Sequence, residues 1–130
     1  IDFIGLSEAD VIFTCDEDDA QLGASLSAES DVDNDGLADV LIGIPNSHAG
    51  ATDSGSAVLF QGEFLVAGGV FAVEDANTTF YGVGANDHAG KMVLGLGDVD
   101  GDTFDDIAIA EPNDGTLSGN AGLIHILFAP

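Results

Sequence analysis

The sequence has almost no positive charge, since one lysine, Lys91, and no arginine accompany 24 acidic residues. Salt bridges therefore cannot hold the fold together, and cohesion has to come from apolar burial, backbone hydrogen bonds and bound cations. We expect no DNA or RNA partner, because phosphate binding needs Lys and Arg. We also expect no direct membrane insertion, because no run of about 18 apolar residues is present. Such an acidic surface suits high salt or a calcium-rich exterior, so we expect an extracellular or cell-surface protein.

Cysteine, tryptophan and tyrosine are also scarce. The single cysteine, Cys15, excludes an internal disulfide framework; we expect a buried thiol, with pairing to another chain as the alternative. Tryptophan is absent and Tyr81 is the only tyrosine, which weakens any carbohydrate site that needs stacking rings. His48, His88 and His125 are not spaced as a metal or catalytic set, and no Gly-x-Ser-x-Gly elbow is present. We therefore predict no enzymatic activity.

The apolar content of 45% is high enough for a packed core, and the chain repeats itself. A shift of 67 places residues 1–63 on 68–130 without a gap and gives 12 identical pairs, among them Pro45 with Pro112. The identical pairs cluster at loop and turn positions, whereas chance identities would scatter. The simplest interpretation is two copies of one supersecondary unit, with boundaries at 1–63 and 64–130.

Each unit is rich in short β-type segments. β-branched and aromatic residues dominate some of them, and others are apolar runs ended by proline, which is typical of strands buried on both faces. The strand-like segments are VIFT (11–14), GASLSAES (23–30), VLIGIP (40–45), GSAVLF (55–60), TTFYG (78–82), GKMVLGLG (90–97), IAIAEP (107–112) and GLIHILF (122–128). The stretch 64–76 is ambiguous, although its paired glycines argue against a helix and a short turn fits VEDA. We predict an all-β fold of two tandem four-stranded antiparallel propeller-type blades.

Two acidic loops, DVDNDGLAD (31–39) and DVDGDTFDD (98–106), carry the strongest chemical signal. Aspartates this close repel one another unless a cation lies between them, and Ca²⁺ takes about six to eight oxygen ligands. We therefore expect two Ca²⁺ sites, so that the predicted blades carry calcium-binding hairpin loops. The expected ligands are Asp31, Asp33, Asp35, the Leu37 carbonyl and Asp39 in the first loop, and Asp98, Asp100, Asp102, the Phe104 carbonyl and Asp106 in the second. Asp105 has no counterpart at Ala38 and is expected to be surface charge.

The residues of these loops count against other kinds of metal site. An EF-hand needs flanking helices and an acidic twelfth residue, but the twelfth residues here are Ile42 and Ile109. Mg²⁺ prefers fewer carboxylates, and Zn²⁺ would want His or Cys. A solvated acidic turn is the remaining alternative, because Asp and Asn favour turns, but two loops in matched register count against it. Gly36 allows a sharp bend; at Thr103 the second loop is either strained or bends at Gly101 instead.

The order of these features resembles the FG-GAP repeat of integrin α-subunit β-propellers, over nearly the whole chain. That pattern runs from an aromatic strand through a glycine turn, a strand, D-x-D-x-D-G-x-x-D and an apolar strand ending Gly-Ala-Pro to a further glycine and strand. The departures are Ile44 and Glu111 in place of Ala, and Ala110 in place of the glycine matched by Gly43. The resemblance implies that the loops bind calcium on one face of a propeller and stiffen the strand hairpins without doing chemistry.

Two blade-like units cannot close a ring, because propellers use about four to eight blades. Exposed strand edges invite pairing, and a head-to-tail contact forms a ring or a filament. We expect the chain to be either a part of a longer parent propeller or a protomer that self-associates through strand edges, in which the first strand of one unit completes the sheet of its neighbour.

The sequence thus predicts a calcium-binding extracellular structural or adhesion module. The alternatives are a carbohydrate- or protein-binding, lectin-like propeller segment and an accessory domain of a secreted hydrolase whose catalytic residues would lie outside these 130 residues. NTT at Asn77 is a glycosylation sequon, with an ordinary polar turn as the alternative.

Overall fold

The computed structural model describes residues 5–116 and 119–130 and is all-β, as the sequence predicts. The strands are β1 (Val11–Thr14), β2 (Ser25–Ser30), β3 (Asp39–Ile44), β4 (Ser56–Phe60), β5 (Gly69–Ala72), β6 (Thr78–Tyr81), β7 (Met92–Gly97), β8 (Asp106–Glu111) and β9 (Leu123–Leu127). One short helix, α1 (Gly62–Leu65), and 3₁₀ turns at Leu6–Glu8 and Val73–Asp75 complete the elements. The ambiguous stretch 64–76 therefore contains the end of α1, strand β5 and a turn. No helix in the described ranges is both long and apolar enough to cross a membrane.

The strands form two larger antiparallel sheets and one small parallel pair. The order is β2-β3-β4-β6 in the first sheet and β7-β8-β9 in the second, while β1 pairs with β5 in parallel. Strands of the two units keep the 67-residue spacing throughout: β1 corresponds to β6, β2 to β7, β3 to β8 and β4 to β9. The repeat read from the sequence is therefore a repeat of strands.

The first sheet crosses the boundary between the two sequence units. Its outer strand β6 belongs to the second unit by sequence and pairs with β4, with Ser56 opposite Tyr81 and Leu59 opposite Thr78. The division into 1–63 and 64–130 thus describes the sequence repeat, and as a division into domains it stays a prediction. In the described residues the second sheet has three strands rather than the expected four. Strand β9 consequently has no outer partner in the described part of the chain.

The core lies on both faces of β3 and β4. One cluster fills the space between the two sheets, and the other is covered by β1 and β5. Phe60 of β4 packs against Phe13 of β1 with ring centroids 4.7 Å apart. Cys15 is a free, half-buried thiol packed at the edge of this second cluster, so it is less buried than expected. The buried members are Leu41, Ala57, Leu59, Val93, Ile107 and Ile109 in the first cluster, and Ala20, Ile42, Ile44, Val58 and Phe60 in the second.

The two sheets approach closely along β2 and the segment leading into β7. A Cβ atom at Gly43 would clash with the carbonyl oxygen of Gly90, and Ser25 Oγ donates a 2.9 Å hydrogen bond to that same oxygen. Further along this contact between the sheets, Gly95 N of β7 donates to Ser27 Oγ of β2 at 2.9 Å. This contact explains why Gly43 lacks a side chain. It also fixes the relative position of the two hairpins that carry the acidic loops.

Candidate metal centres

Each acidic loop connects two adjacent strands of one sheet, β2 to β3 and β7 to β8. The pairing register shifts between Ser27 and Ser30 in the first hairpin and between Gly95 and Gly97 in the second, directly before each loop. Such bulges redirect the chain at the end of a strand. Both loops therefore leave their sheets in the same way.

Within the first loop, aspartate side chains accept hydrogen bonds from backbone amides a few residues ahead. Asp31 Oδ1 accepts from Asp35 N at 3.0 Å, and Asp31 Oδ2 accepts from Gly36 N at 2.9 Å. Asp33 Oδ1 accepts from Asp35 N at 3.2 Å. These short-range bonds are the reason that Asp is favoured in turns, and they curl the loop around its own carboxylates.

The second loop repeats this arrangement. Asp98 Oδ1 accepts from Asp102 N at 3.1 Å and from Gly101 N at 2.6 Å, and its Oδ2 accepts from Thr103 N at 2.9 Å. Asp100 Oδ1 accepts from Asp102 N at 3.2 Å. Two loops that differ at four of the five positions between their repeated aspartates thus reach one geometry, which indicates that the shared aspartates determine it.

The last aspartate of each loop is buried and ties the loop to a distant segment. Asp39 is 2% exposed and accepts hydrogen bonds from Val32 N at 2.7 Å and Gly62 N at 2.8 Å. Burial raises the pKa of the Asp39 carboxyl above its ordinary value; the bonds from Gly62 and Val32 oppose this rise, and the nearby carboxylates of Asp33 and Asp31 add to it. A bound cation would favour the ionised form and relieve this cost.

Asp106 takes the same role in the second loop. It is 0% exposed and accepts from Val99 N at 2.8 Å and from Ala129 N at 3.0 Å. Asp39 therefore joins the start of the first loop and the segment after β4 to the start of β3. Asp106 joins the start of the second loop and the segment after β9 to the start of β8. The two anchors are structural whether or not an ion is bound.

Carboxylate oxygens converge at one point in each loop. One oxygen each from Asp31, Asp33 and Asp39 lie within 4.8 Å of one another, and the same holds for Asp98, Asp100 and Asp106. Ca²⁺ binds oxygen at about 2.3–2.6 Å, so oxygens on opposite sides of one ion are separated by about this distance. The all-oxygen donor set is the kind that hard cations prefer. The residues present therefore fit a calcium ion.

The other predicted ligands stand outside these two groups of three. Asp35 Oδ1 accepts from Leu37 N at 2.7 Å, and Asp102 Oδ1 accepts from Phe104 N at 2.9 Å. Their second carboxylate oxygens and the carbonyl groups of Leu37 and Phe104 stay predicted ligands. The structure thus gathers three of the five predicted ligands in each loop.

The bend in the second loop is strained and has not moved. Gly36 has φ = 89°, and Thr103, in the corresponding position, has φ = 85°. A β-branched residue rarely adopts this left-handed region, which glycine enters freely. Gly101 also has a positive φ, 87°, but so does its counterpart Asn34, at 56°. The second loop therefore keeps the geometry of the first at the expense of strain at Thr103.

The prediction made for Asp105 was wrong. Its carboxylate accepts a 3.0 Å hydrogen bond from Asp31 N, and its own N–H donates to the carbonyl oxygen of Asp31 at 3.2 Å. Asp105 thus joins the two loops and is not surface charge. The signal available in the sequence was the lack of a counterpart at Ala38, which set this aspartate apart from the repeated ones.

Two further residues singled out from the sequence have structural partners. Asn77 exchanges two hydrogen bonds with Gln61, accepting from Gln61 N and donating to Gln61 Oε1, both at 2.8 Å, so its side chain holds the start of β6 to the end of β4. His125 Nε2 lies 2.6 Å from Oε2 of the buried Glu111. His125 is therefore an edge-strand residue paired with the glutamate that departs from the family pattern.

Comparison with known proteins agrees with this geometry. The FG-GAP repeat family model matches residues 22–60 and 92–127, which contain both acidic loops and the strands on either side of them. Integrin alpha-4 of Xenopus laevis is 31% identical over 97 residues, which is 75% of this chain and 9% of the integrin. The chain therefore spans about a tenth of the length of that relative. The matched repeats cover more than half of the 130 residues, and on this evidence the chain belongs to the FG-GAP repeat family.

Proposed function

We propose that this protein is a calcium-binding, non-enzymatic structural module in which two ions stiffen the β2–β3 and β7–β8 hairpins. The observation that carries the proposal is the convergence of three carboxylate oxygens within 4.8 Å in each loop. The similarity to an integrin α subunit supports it. The first ion would be held by Asp31, Asp33 and Asp39 with Asp35 and the Leu37 carbonyl, and the second by Asp98, Asp100 and Asp106 with Asp102 and the Phe104 carbonyl.

The effect of an ion on the fold follows from where its ligands lie. Asp31 directly follows the last residue of β2, and Asp39 is the first residue of β3, so one ion would join the two strands of a hairpin at their open loop. The positive charge that calcium supplies would replace the repulsion among these carboxylates by attraction. Because the chain offers one lysine and no arginine, this charge has to come from solution.

Calcium titration of the chelated protein by isothermal calorimetry tests the proposal. We expect two ions per chain, and one ion per chain in Asp33→Ala and in Asp100→Ala, because each substitution removes one converging oxygen from one loop. Magnesium at the same concentration should bind more weakly, since it prefers fewer protein carboxylates. Absence of calcium binding to the unmodified chain would refute the proposal.

We also propose that the protein lies outside the cell or on its surface. The acidic composition, with 24 acids against one base, suits a medium rich in divalent cations. The similarity to integrin alpha-4 supports this location. Carbohydrate binding and an accessory role beside a secreted hydrolase remain as alternatives, and a glycan array together with a hydrolase screen would distinguish them from the structural role.

We further propose that the chain associates with another FG-GAP unit through the outer edge of β9. Ala57 and Leu59 in β4, which pairs with β6 and packs against the second sheet, are 0% and 6% exposed, whereas Ile124 and Ile126 in the same positions of β9 are 74% and 54% exposed. An open groove of about 830 Å³ lies between β6 and β9 and is lined in part by Phe80. The pairing of β6 with β4 indicates the occupant, an antiparallel strand with an aromatic residue opposite Ile124.

Sedimentation in calcium tests whether copies of this chain supply that strand. We expect concentration-dependent dimers or longer assemblies, and a monomer for Ile124→Lys, because a lysine on an edge strand opposes pairing. Val66→Lys is the matched control, since Val66 is also 74% exposed but lies after α1, outside the sheets. A compact monomer at high concentration for the unmodified chain would contradict self-association.

A further inference from the structure

Asp105 lies between two residues that we propose as ligands in the second loop, Phe104 and Asp106, yet its polar contacts are made with the first loop. Asp31 N–H donates to Asp105 Oδ2 at 3.0 Å, and Asp105 N–H donates to the Asp31 carbonyl oxygen at 3.2 Å. Both residues are half-buried. This reciprocal pair of bonds joins a proposed ligand of one calcium site to a residue held between two proposed ligands of the other.

The Asp105 carboxylate lies where a further negative charge is unfavourable, beside the aspartates of both loops. A ninth aspartate beside the eight of the two loops adds like-charge repulsion. Asp105 is not among the oxygens that converge in either loop. The first loop has Ala38 in the same position, so the loop geometry itself needs no carboxylate there. What distinguishes Asp105 is its contact with Asp31.

We propose that Asp105 couples the two calcium sites, so that occupation of one loop raises the calcium affinity of the other. This inference rests on the proposed calcium binding. An ion in the second loop would order residues 104–106, and Asp105 would in turn hold the backbone of Asp31 where its side chain can ligate. Thermodynamic linkage makes the effect equal in the other direction. Residues 104–106 and the backbone of Asp31 would then be ordered by the first ion, and the second ion would bind without incurring that entropic cost again.

Electrostatics acts against this coupling. Two bound dications repel each other, and each neutralises charge that attracts the other, so charge alone predicts that the second ion binds more weakly. A useful test therefore has to separate the hydrogen bond from the charge of Asp105. Asp105→Asn keeps an acceptor, its Oδ1, for the Asp31 N–H but removes the charge, whereas Asp105→Ala removes both.

The experiment is a calcium titration of the full chain, followed by the amide NMR signals of Gly36 in the first loop and Thr103 in the second. Weakening the second loop with Asp100→Ala should lower the calcium affinity of the first loop about fivefold or more. In the Asp105→Ala background, the same Asp100→Ala change should leave the affinity of the first loop unaltered. In the Asp105→Asn background the fivefold effect should return. Circular dichroism and thermal melting of each variant verify that it is folded.

The outcomes separate this inference from the function on which it rests. If the unmodified chain binds no calcium, the proposed function fails and the coupling fails with it. If two ions bind but Asp100→Ala has the same effect with and without Asp105→Ala, the coupling is wrong and the calcium sites stand. If Asp105→Asn behaves like Asp105→Ala, the hydrogen bond is not the coupling element, and the inference is overturned.

Discussion

Chelation of calcium is expected to lower the melting temperature of this protein by about 20 °C when the comparison is made at calcium near one hundred times the dissociation constant. A ligand that binds only the native state contributes about 2.7 kcal/mol per site at that concentration, and two sites contribute about 5 kcal/mol. For a chain of 130 residues, about 1 kcal/mol shifts the melting temperature by about 4 °C. Differential scanning calorimetry with calcium, and then with a chelator, measures the shift.

The control for this melt is ionic strength. A chain with a formal net charge of −23 is stabilised by any salt that screens repulsion, so calcium has to be compared with sodium at equal ionic strength. Screening alone would raise the melting temperature in both salts alike. If the melts with calcium and with chelator coincide after this correction, the loops are solvated acidic turns and the proposed function is wrong.

The second large effect is a loss of stability when a buried aspartate is replaced, and it should persist without calcium. Asp39→Ala leaves the buried amide of Gly62 and the half-buried amide of Val32 without an acceptor. An unsatisfied buried donor costs about 1–3 kcal/mol, so we expect a loss of about 3 kcal/mol in the free energy of unfolding. The loss of an acceptor for two amides would by itself cost more than this. The substitution also removes the cost of burying the Asp39 carboxylate, whose pKa is raised, and this offsets part of the loss. Urea denaturation in the presence of chelator measures the change.

Asp33→Ala is the matched control for this second prediction. Its carboxylate also belongs to the converging oxygens, but it accepts only the Asp35 N–H, which Asp31 accepts as well. We therefore expect less than about 1 kcal/mol of destabilisation in chelator and a large effect only in calcium. Equal losses for Asp33→Ala and Asp39→Ala in chelator would contradict the structural anchoring role of Asp39, which adds to its proposed role as a ligand.

Much of the fold could be predicted from local patterns. The runs VLIGIP and IAIAEP became β3 and β8 because apolar residues on both faces need burial on both faces, and proline ends a strand. The repeated aspartates predicted two equal loops because an aspartate side chain bonds the amides just ahead of it. Each of these effects acts over a few residues, so spacing in the sequence is sufficient to show it.

The sequence by itself determined eight of the nine described strands, their repeat and the residues of the two acidic loops, and β5 was left in the ambiguous stretch 64–76. Only the tertiary structure decided that the expected exchange of a first strand occurs within this chain, between β6 and β4, that β1 pairs with β5 in parallel, and that Asp105 reaches Asp31. It also decided which aspartates are buried anchors, since Gly62 and Ala129 lie 23 residues from Asp39 and Asp106. The physical reason is the distance along the chain over which each interaction acts. The periodicity of a short segment shows which face of a strand is apolar, whereas the partner of a strand edge or of a carboxylate depends on how distant segments pack.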